Sequence, residues 1–137
     1  MSGLVPELIV SDLQTSLEFW VDMLDFSVLY DRPEEKFAYL RHGACDVMLE
    51  ELGEARQWVA ADLQKPFGRG INFQLEASDW SKQLANLCQN NWPLFMEPET
   101  KWYRAGEVEK GQSQFIVQDP DGYLLRLAQS VGERKLQ

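Results

Sequence analysis

Residues 115–127 read FIVQDPDGYLLRL, and this stretch decides the fold. Its centre, Asp119-Pro120-Asp121-Gly122, combines residue types that favour tight turns. Alternating side chains flank the turn on both sides, which is typical of paired strands. The pattern predicts a β-hairpin in which residues 113–118 pair with residues 123–128.

The segment upstream of this hairpin predicts a strand, a helix and another strand. Residues 71–76 alternate apolar and polar side chains. Residues 92–95 are extended, and Pro98 is expected to end that strand. Between them a helix begins at Ser78-Asp79 and places four side chains on one face: Trp80, Leu84, Leu87 and Cys88. With the hairpin, this half of the chain has the order βαβββ.

The first half predicts the same order. Residues 4–10 are extended, and Ser11-x-x-Gln14 fits a capping box at the start of a helix. The apolar residues of that helix recur at helical spacing: Leu13, Leu17, Trp20, Val21 and Leu24. Three further strands are expected, at residues 26–30, 37–41 and 47–52, with a turn at residues 32–35 after the first of them.

The two halves therefore predict an internal duplication, since Ser11-Asp12 and Ser78-Asp79 lie 67 residues apart. Two stretches break the symmetry: a connector with a short helix through Trp58 and Leu63, and an inserted loop at residues 99–112. The predicted boundaries are about 4–52 for module one, 53–70 for the connector, about 71–128 for module two and 129–137 for a tail.

Composition limits the functions that need considering. Thirteen basic against 22 acidic residues give a net charge of -9, which argues against binding to a phosphate backbone and suits a cationic ligand. Neither a membrane span nor a signal peptide is visible, so a cytoplasmic location is expected. Cys45 and Cys88 are interpreted as reduced core thiols, and the single histidine, His42, as a surface turn residue.

Two stretches, VSDLQTSLEFWVDMLDFSV at residues 10–28 and FIVQDPDGYLLRL, resemble the vicinal oxygen chelate superfamily. Within it the chain is similar to the bleomycin resistance proteins, beside glyoxalase I and the extradiol dioxygenases. The resemblance covers about residues 4–128. It implies an α+β fold of two tandem βαβββ modules, each a curled mixed sheet with a helix on its outer face, enclosing a cavity. Many members are dimers.

The resemblance also locates the metal-ligand positions of the family's enzymes. They fall on Val5, Met48, Asn72 (or Phe73 in a neighbouring register) and Arg126. Valine offers no ligand atom, methionine is a weak soft ligand, and arginine is a permanent cation. We therefore expect no metal and no other cofactor.

Strand alternation predicts which side chains face the cavity, because successive residues of a strand point to opposite sides. Leu8 and Val10 should pack on the helix, whereas Val5, Glu7 and Ile9 should face the cavity. The aromatic residues of the expected loop offer a stacking surface. The predicted ligand-binding residues are Glu7, Tyr39, Met48, Glu50, Asn72, Gln74, Trp102, Tyr103, Arg104 and Arg126.

Structural roles remain open for several of these residues. Arg126 could pair with Glu50 or Glu7, since a buried charge needs a partner. Met48 and Tyr39 could be packing residues. The aromatic loop could instead cap the core or lie in a subunit interface, and Trp58 also suggests an interface.

Three function classes fit this pattern. The first is a metal-independent protein that sequesters a bulky cationic or aromatic ligand such as bleomycin. The second is a metal-dependent glyoxalase- or dioxygenase-like enzyme, which the ligand positions disfavour. The third is a sensor of a small metabolite on the same fold. A homodimer is expected, because the aromatic segments offer apolar surface to bury.

Overall fold

The computed structural model describes residues 2–53 and 57–137, which form two compact units. Module one comprises Met1–Arg69 and also Asp119–Tyr123, the turn at the centre of FIVQDPDGYLLRL. Module two comprises Gly70–Gln118 and Leu124–Gln137. No helix among the described residues has the length and apolar character needed to cross a membrane.

Module one is a four-stranded mixed sheet with one helix. In sheet order its strands are β1, β4, β3 and β2, with β1 parallel to β4 and the other pairs antiparallel. The elements are β1 (Glu7–Val10), α1 (Leu13–Leu17) continued by a π-helical stretch (Glu18–Met23), β2 (Ser27–Arg32), a 3-10 turn (Pro33–Glu35), β3 (Phe37–His42) and β4 (Cys45–Glu51).

Module two repeats this topology. Its sheet order is β5, β8, β7 and β6, and only the β5–β8 pair is parallel. The elements are β5 (Asn72–Glu76), α2 (Ser81–Gln89), β6 (Leu94–Ala105), β7 (Val108–Gln118) and β8 (Leu124–Lys135). The prediction of an α+β fold with two βαβββ modules and mixed sheets is confirmed.

The core of module one lies between the helix and one face of its sheet. Trp20 is 1% exposed and meets Phe26 edge-on at 5.2 Å, and Phe26 in turn contacts the ring of His42 at 5.6 Å. His42 therefore marks the helix side of β3, together with Leu40. We call the opposite side, which carries Tyr39, the open face of module one.

Module two is arranged in the same way. Trp80, at the start of α2, packs edge-on against Phe115 at 5.2 Å, and its indole N–H donates to the backbone oxygen of Ser113 at 2.8 Å. Phe115 and Ser113 therefore mark the helix side of β7. The open face of module two is the side that carries Gln114.

The first helix begins differently from the predicted capping box. Its N-cap is Asp12, and no cap side chain bonds a helical N–H. The backbone N–H of Leu13 instead donates to Oε1 of Glu51 at 2.9 Å, and the N–H of Ser11 donates to Oδ2 of Asp121 at 3.0 Å. Carboxylates distant in sequence thus satisfy the free donors that a local cap would otherwise satisfy.

The turn at residues 119–123 is bound tightly within module one. Asp119 accepts hydrogen bonds from the backbone N–H of Tyr123 at 2.8 Å and from the indole N–H of Trp20 at 3.4 Å. The Tyr123 hydroxyl donates to the backbone oxygen of Ile9 at 2.9 Å. Gly122 has φ +105°, and a Cβ there would lie 2.5 Å from Pro66, so only glycine fits this close approach.

The predicted loop at residues 99–112 is wrong. These residues belong to β6 and β7, which form a long antiparallel hairpin whose tight turn lies at residues 106–107. Pro98 does not end the strand, because β6 is an edge strand with local register shifts, where a missing N–H is tolerated. The predicted tail is also partly wrong, since β8 continues to Lys135 and pairs with β7.

Two further predictions differ from the structure. The connector has no helix among its described residues 57–70, and Trp58 is 79% exposed; residues 54–56 lie outside the described residues. Cys88 is exposed on α2 and Cys45 is half-buried, so neither thiol lies in the core. His42 ends β3 rather than occupying the turn, and its Nδ1 lies 3.0 Å from the backbone oxygen of Asp25.

Candidate functional site

The open face of module one brings together predicted site residues from three strands. The pairing of β1 with β4 aligns Glu7 with Met48, and the pairing of β3 with β4 aligns Tyr39 with Met48. Alternation along the strands then gives the residues of this face: Glu7, Ile9, Tyr30, Arg32, Phe37, Tyr39, Arg41, Asp46, Met48 and Glu50. Of the predicted ligand-binding residues, it therefore holds Glu7, Tyr39, Met48 and Glu50.

Two stacked tyrosines lie at the centre of this face. The rings of Tyr30 and Tyr39 are 5.0 Å apart and 15° from parallel. Tyr39 is buried, and its hydroxyl donates to Oδ2 of Asp46 at 2.6 Å, while Arg41 binds the same carboxylate through two nitrogens at 2.7 and 3.0 Å. The Arg41 guanidinium, followed by the backbone N–H of Ser2 and by Tyr39, holds the pKa of Asp46 well below its usual range.

This network fixes one ring and leaves the other accessible. Hydrogen bonding to Asp46 raises the pKa of Tyr39, so its hydroxyl stays protonated as a donor. Tyr30 is 45% exposed, so part of the aromatic stack faces solvent. An exposed ring held by a fixed neighbour is a suitable surface for a planar group.

Two carboxylates on the same face, Glu7 and Glu50, make no hydrogen bond and no ion pair within 4.0 Å among the described residues. Glu50 lies beside Ile9, and Glu7 lies beside Met48. Partial burial, and then repulsion from Glu50, raise the pKa of Glu7, and the positive charge of Arg32 partly offsets the rise. Arg32 is itself engaged, because its guanidinium covers Phe37 at 4.0 Å and pairs with Glu35.

A row of hydrogen-bonded amide side chains lies on the open face of module two. Gln74 donates to Gln112 at 3.4 Å, and Gln112 donates to Gln114 at 2.8 Å. Gln114 is 2% exposed and donates to the hydroxyl of Tyr103 at 2.6 Å and to Glu99 at 3.2 Å. Three glutamines on two strands, Gln74 on β5 and Gln112 and Gln114 on β7, thus form one connected chain of hydrogen bonds.

Arg126 lies on this same face, aligned with Gln74 on β5 and with Ile116 on β7. Its Nε is buried and has no hydrogen-bond partner among the described residues. The side chain as a whole is half-buried. No carboxylate of module two bonds this nitrogen among the described residues, and the pairing of Arg126 with Glu50 or Glu7 stays a prediction. Asn72 lies two residues before Gln74 on the same side of β5 and is exposed.

Trp102, Tyr103 and Arg104 do not form one surface. They are consecutive on β6, so the side chain of Tyr103 points to the open face while Trp102 points away from it. The Trp102 ring lies against Gly111, where an added Cβ would come within 2.8 Å of it, and the guanidinium of Arg134 covers the ring at 4.3 Å. Trp102 and Tyr103 therefore do not form the single stacking surface that was expected of the loop aromatic residues.

A separate cavity of about 350 Å³ lies in module one between α1 and the turn after β2. Its lining includes Lys36 and Glu51, whose side chains form an ion pair at 2.8 Å. Lys36, followed by the N–H of Leu13, lowers the pKa of Glu51. Because Lys36 and Glu51 already neutralise each other, this cavity presents no unpaired charge of theirs to a ligand, whereas the open face presents Glu7 and Glu50.

The residues at the family's metal positions do not fit a divalent cation. Val5 has no donor atom, and Arg126 brings a fixed positive charge with a buried nitrogen that lacks a hydrogen-bond partner among the described residues. Among the described residues, no group of three or more histidine, cysteine, aspartate or glutamate side chains could hold a metal ion.

Tyr30 is the residue that the sequence reasoning missed. Its position at the end of the strand predicted for residues 26–30 indicated no contact with a ligand. The signal that could have found it is the short turn at residues 32–35, which brings β2 back against β3 and so places Tyr30 beside Tyr39.

Comparison with known proteins agrees with this architecture. The family model described as Glyoxalase/Bleomycin resistance protein/Dioxygenase superfamily matches residues 4–127, so the chain belongs to that superfamily. No curated protein sequence matches it significantly.

Three solved structures illustrate the range of similarity. A superfamily member from Vibrio splendidus 12B01 shares 35% identity over 91% of this chain and 95% of its own, with a TM-score of 0.42. TioX from Micromonospora sp. ML1 shares 19% identity over 96% and 100% of the two chains, with a TM-score of 0.73. Lactoylglutathione lyase from Agrobacterium tumefaciens shares 17% identity over 94% of each chain, with a TM-score of 0.59. The last two support the fold alone.

Proposed function

We propose that this chain is a metal-independent binding protein that sequesters a bulky, cationic aromatic molecule such as bleomycin on the open face of module one. The observation that carries the proposal is the half-exposed Tyr30 stacked on Tyr39, with the unpaired carboxylates Glu7 and Glu50 on the same face.

The two features act on different parts of such a ligand. A planar heteroaromatic unit of the ligand can stack on the outer face of Tyr30. A positive charge on the ligand near this ring is attracted both by the ring, through a cation–π interaction, and by the carboxylates of Glu7 and Glu50. Tyr39, the inner ring of the stack, is already held by its hydrogen bond to Asp46, so less side-chain conformational entropy is lost when a ligand binds. The net charge of -9 favours the approach of a cation from solution.

The test is a calorimetric titration of the protein with metal-free bleomycin, which measures the dissociation constant. Tyr30→Ala should weaken binding by about tenfold, which corresponds to the roughly 1.4 kcal/mol expected of one aromatic contact with its buried area. The double variant Glu7→Gln, Glu50→Gln should weaken it by a similar factor, because two charge interactions near a protein surface are lost.

A matched control separates local from long-range charge. Glu97 and Glu107 are exposed residues of module two, and the double variant Glu97→Gln, Glu107→Gln makes the same change in net charge. It should leave the affinity for bleomycin nearly unchanged. If the control weakens binding as much as the module-one variant, or if wild-type protein does not bind bleomycin, the proposed site is wrong.

A homodimer and a cytoplasmic location complete the proposal. The edge strand β2 exposes Val28 by 40% and Leu29 by 46%, and Phe95 and Trp58 are exposed by 59% and 79%, which supports burial against a second copy. Sedimentation at micromolar concentration should give twice the chain mass of 15.8 kDa. A mass equal to that of one chain would rule out the dimer.

A further inference from the structure

We propose that Cys45 and His42 form a nucleophilic pair at the tip of the β3–β4 hairpin, where the thiol adds to α,β-unsaturated carbonyl compounds. The pair lies in module one on the helix side of the sheet. It therefore does not rest on the function proposed for the open face.

The strand register makes His42 and Cys45 cross-strand neighbours. They flank the two-residue turn Gly43-Ala44 and lie directly opposite each other. The next pair along the hairpin, Arg41 and Asp46, shares the open face, and its side chains meet at 2.7 Å. Alternation therefore places both His42 and Cys45 on the helix side. Directly opposite residues have Cβ atoms about 4.5–5.5 Å apart, so the imidazole ring lies beside the thiol.

A hydrogen bond and a ring contact orient the imidazole. Nδ1 of His42 lies 3.0 Å from the backbone oxygen of Asp25, and the centroid of the Phe26 ring lies 5.6 Å from that of the imidazole. A carbonyl oxygen only accepts hydrogen bonds, so Nδ1 carries the proton and Nε2 is the nitrogen that can accept one. The carboxylate of Asp25 lies 4.0 Å from Nδ1 and forms an ion pair with the ring once the ring is protonated.

A thiol beside such a ring can add to an electron-poor carbon–carbon double bond. Nε2 of His42 takes the proton of the Cys45 thiol, and the resulting thiolate is the nucleophile. Its sulfur forms a bond to the β-carbon of the unsaturated carbonyl compound, while the π electrons of the double bond move towards the carbonyl oxygen as an enolate. The imidazolium then returns the proton to the α-carbon. No group leaves, so the addition needs no further reactant.

The two cysteines of the chain differ in a way that makes the proposal testable. Cys88 is exposed on α2, whereas Cys45 is half-buried beside the single histidine, whose side chain is 25% exposed. Exposure alone would make Cys88 the faster thiol. A thiol without activation is only a few per cent thiolate at pH 7, so a base beside it can raise the rate by about tenfold or more. The pairing should therefore reverse the order that exposure sets.

The experiment measures alkylation of both cysteines in the folded 137-residue chain by N-ethylmaleimide at pH 7. Cleavage after lysine and arginine places Cys45 and Cys88 in different peptides, so mass spectrometry follows both rates in one sample. Cys45 should react about tenfold faster than Cys88, although it is less exposed. If Cys88 reacts as fast as Cys45 or faster, the proposal is wrong.

Two variants of His42 separate activation from access to the thiol. His42→Phe keeps a ring against Phe26 without the nitrogens, whereas His42→Ala removes the ring and opens the approach to Cys45. Both should slow the alkylation of Cys45 by about tenfold and leave the rate of Cys88 in the same molecules unchanged. A Cys45 rate that stays high in His42→Ala would mean that the imidazole does not activate the thiol, and would overturn the assignment.

Discussion

The pH dependence of stability should reveal the buried carboxyl group of Asp119. This side chain is 3% exposed, and burial is the main reason that its pKa rises from 3.8 to about 6. A raised pKa in the folded state means that folding favours the protonated acid. The resulting stabilisation is complete below pH 3.8 and is lost as the pH rises through about 6. The difference between these pKa values corresponds to about 3 kcal/mol of unfolding free energy.

The assay compares urea unfolding of wild type and Asp119→Asn between pH 4 and pH 7.5. Asparagine keeps an oxygen that can accept the backbone N–H of Tyr123 but does not titrate. The unfolding free energy of wild type should therefore fall relative to the variant by about 2.4 kcal/mol across this range, because pH 4 already lies slightly above the unfolded-state pKa. Asp62→Asn, at an exposed position, should show no such trend. A wild-type-minus-variant difference that stays constant with pH would refute the reasoning.

Two further predictions concern residues whose contacts the structure defines. Glu51→Ala should lower the unfolding free energy by about 1–2 kcal/mol at pH 7, because the N–H of Leu13 loses its hydrogen-bond acceptor. The effect should become smaller at acid pH, because the wild-type carboxylate is then protonated. Denaturant titrations of both proteins at pH 7 and at acid pH measure this difference. Trp102→Ala should lower the melting temperature while leaving bleomycin affinity unchanged, because the ring covers Gly111 on the side away from the open face. A tenfold loss of affinity in an intact protein would instead place Trp102 in the ligand site.

Local patterns were sufficient to predict the order of elements. The alternation in residues 71–76 and the helical spacing after Ser78 are properties of single segments, and the structure has β5 and α2 there. The same alternation assigned Glu7 and Gln74 to the faces on which the strand register places them. These predictions succeed because a strand that is buried on one side alternates apolar and polar residues with a period of two, and this alternation is visible in the sequence.

Predictions that depended on distant partners failed. The capping box at Ser11 was plausible, but Glu51 bonds Leu13 from β4, and no local pattern records that contact. Residues 99–112 were interpreted as an inserted loop because the first half of the chain has no counterpart to them. A hairpin that is exposed to solvent on much of its surface has little apolar alternation to reveal its strands. The environment of Arg126 likewise depends on which acids the fold brings near it.

The turn at residues 119–123 has a consequence for how the chain acquires its structure during synthesis. Module one requires these five residues, yet they follow Arg69 by about fifty positions in the chain. A ribosome that has made only the first half cannot supply the Tyr123 hydroxyl for Ile9 or the Asp121 carboxylate for Ser11. Module one therefore cannot complete its contacts until most of the carboxy-terminal half has been synthesised. We expect the two modules, although they resemble successive copies, to complete folding together in one step that depends on contacts of long sequence separation.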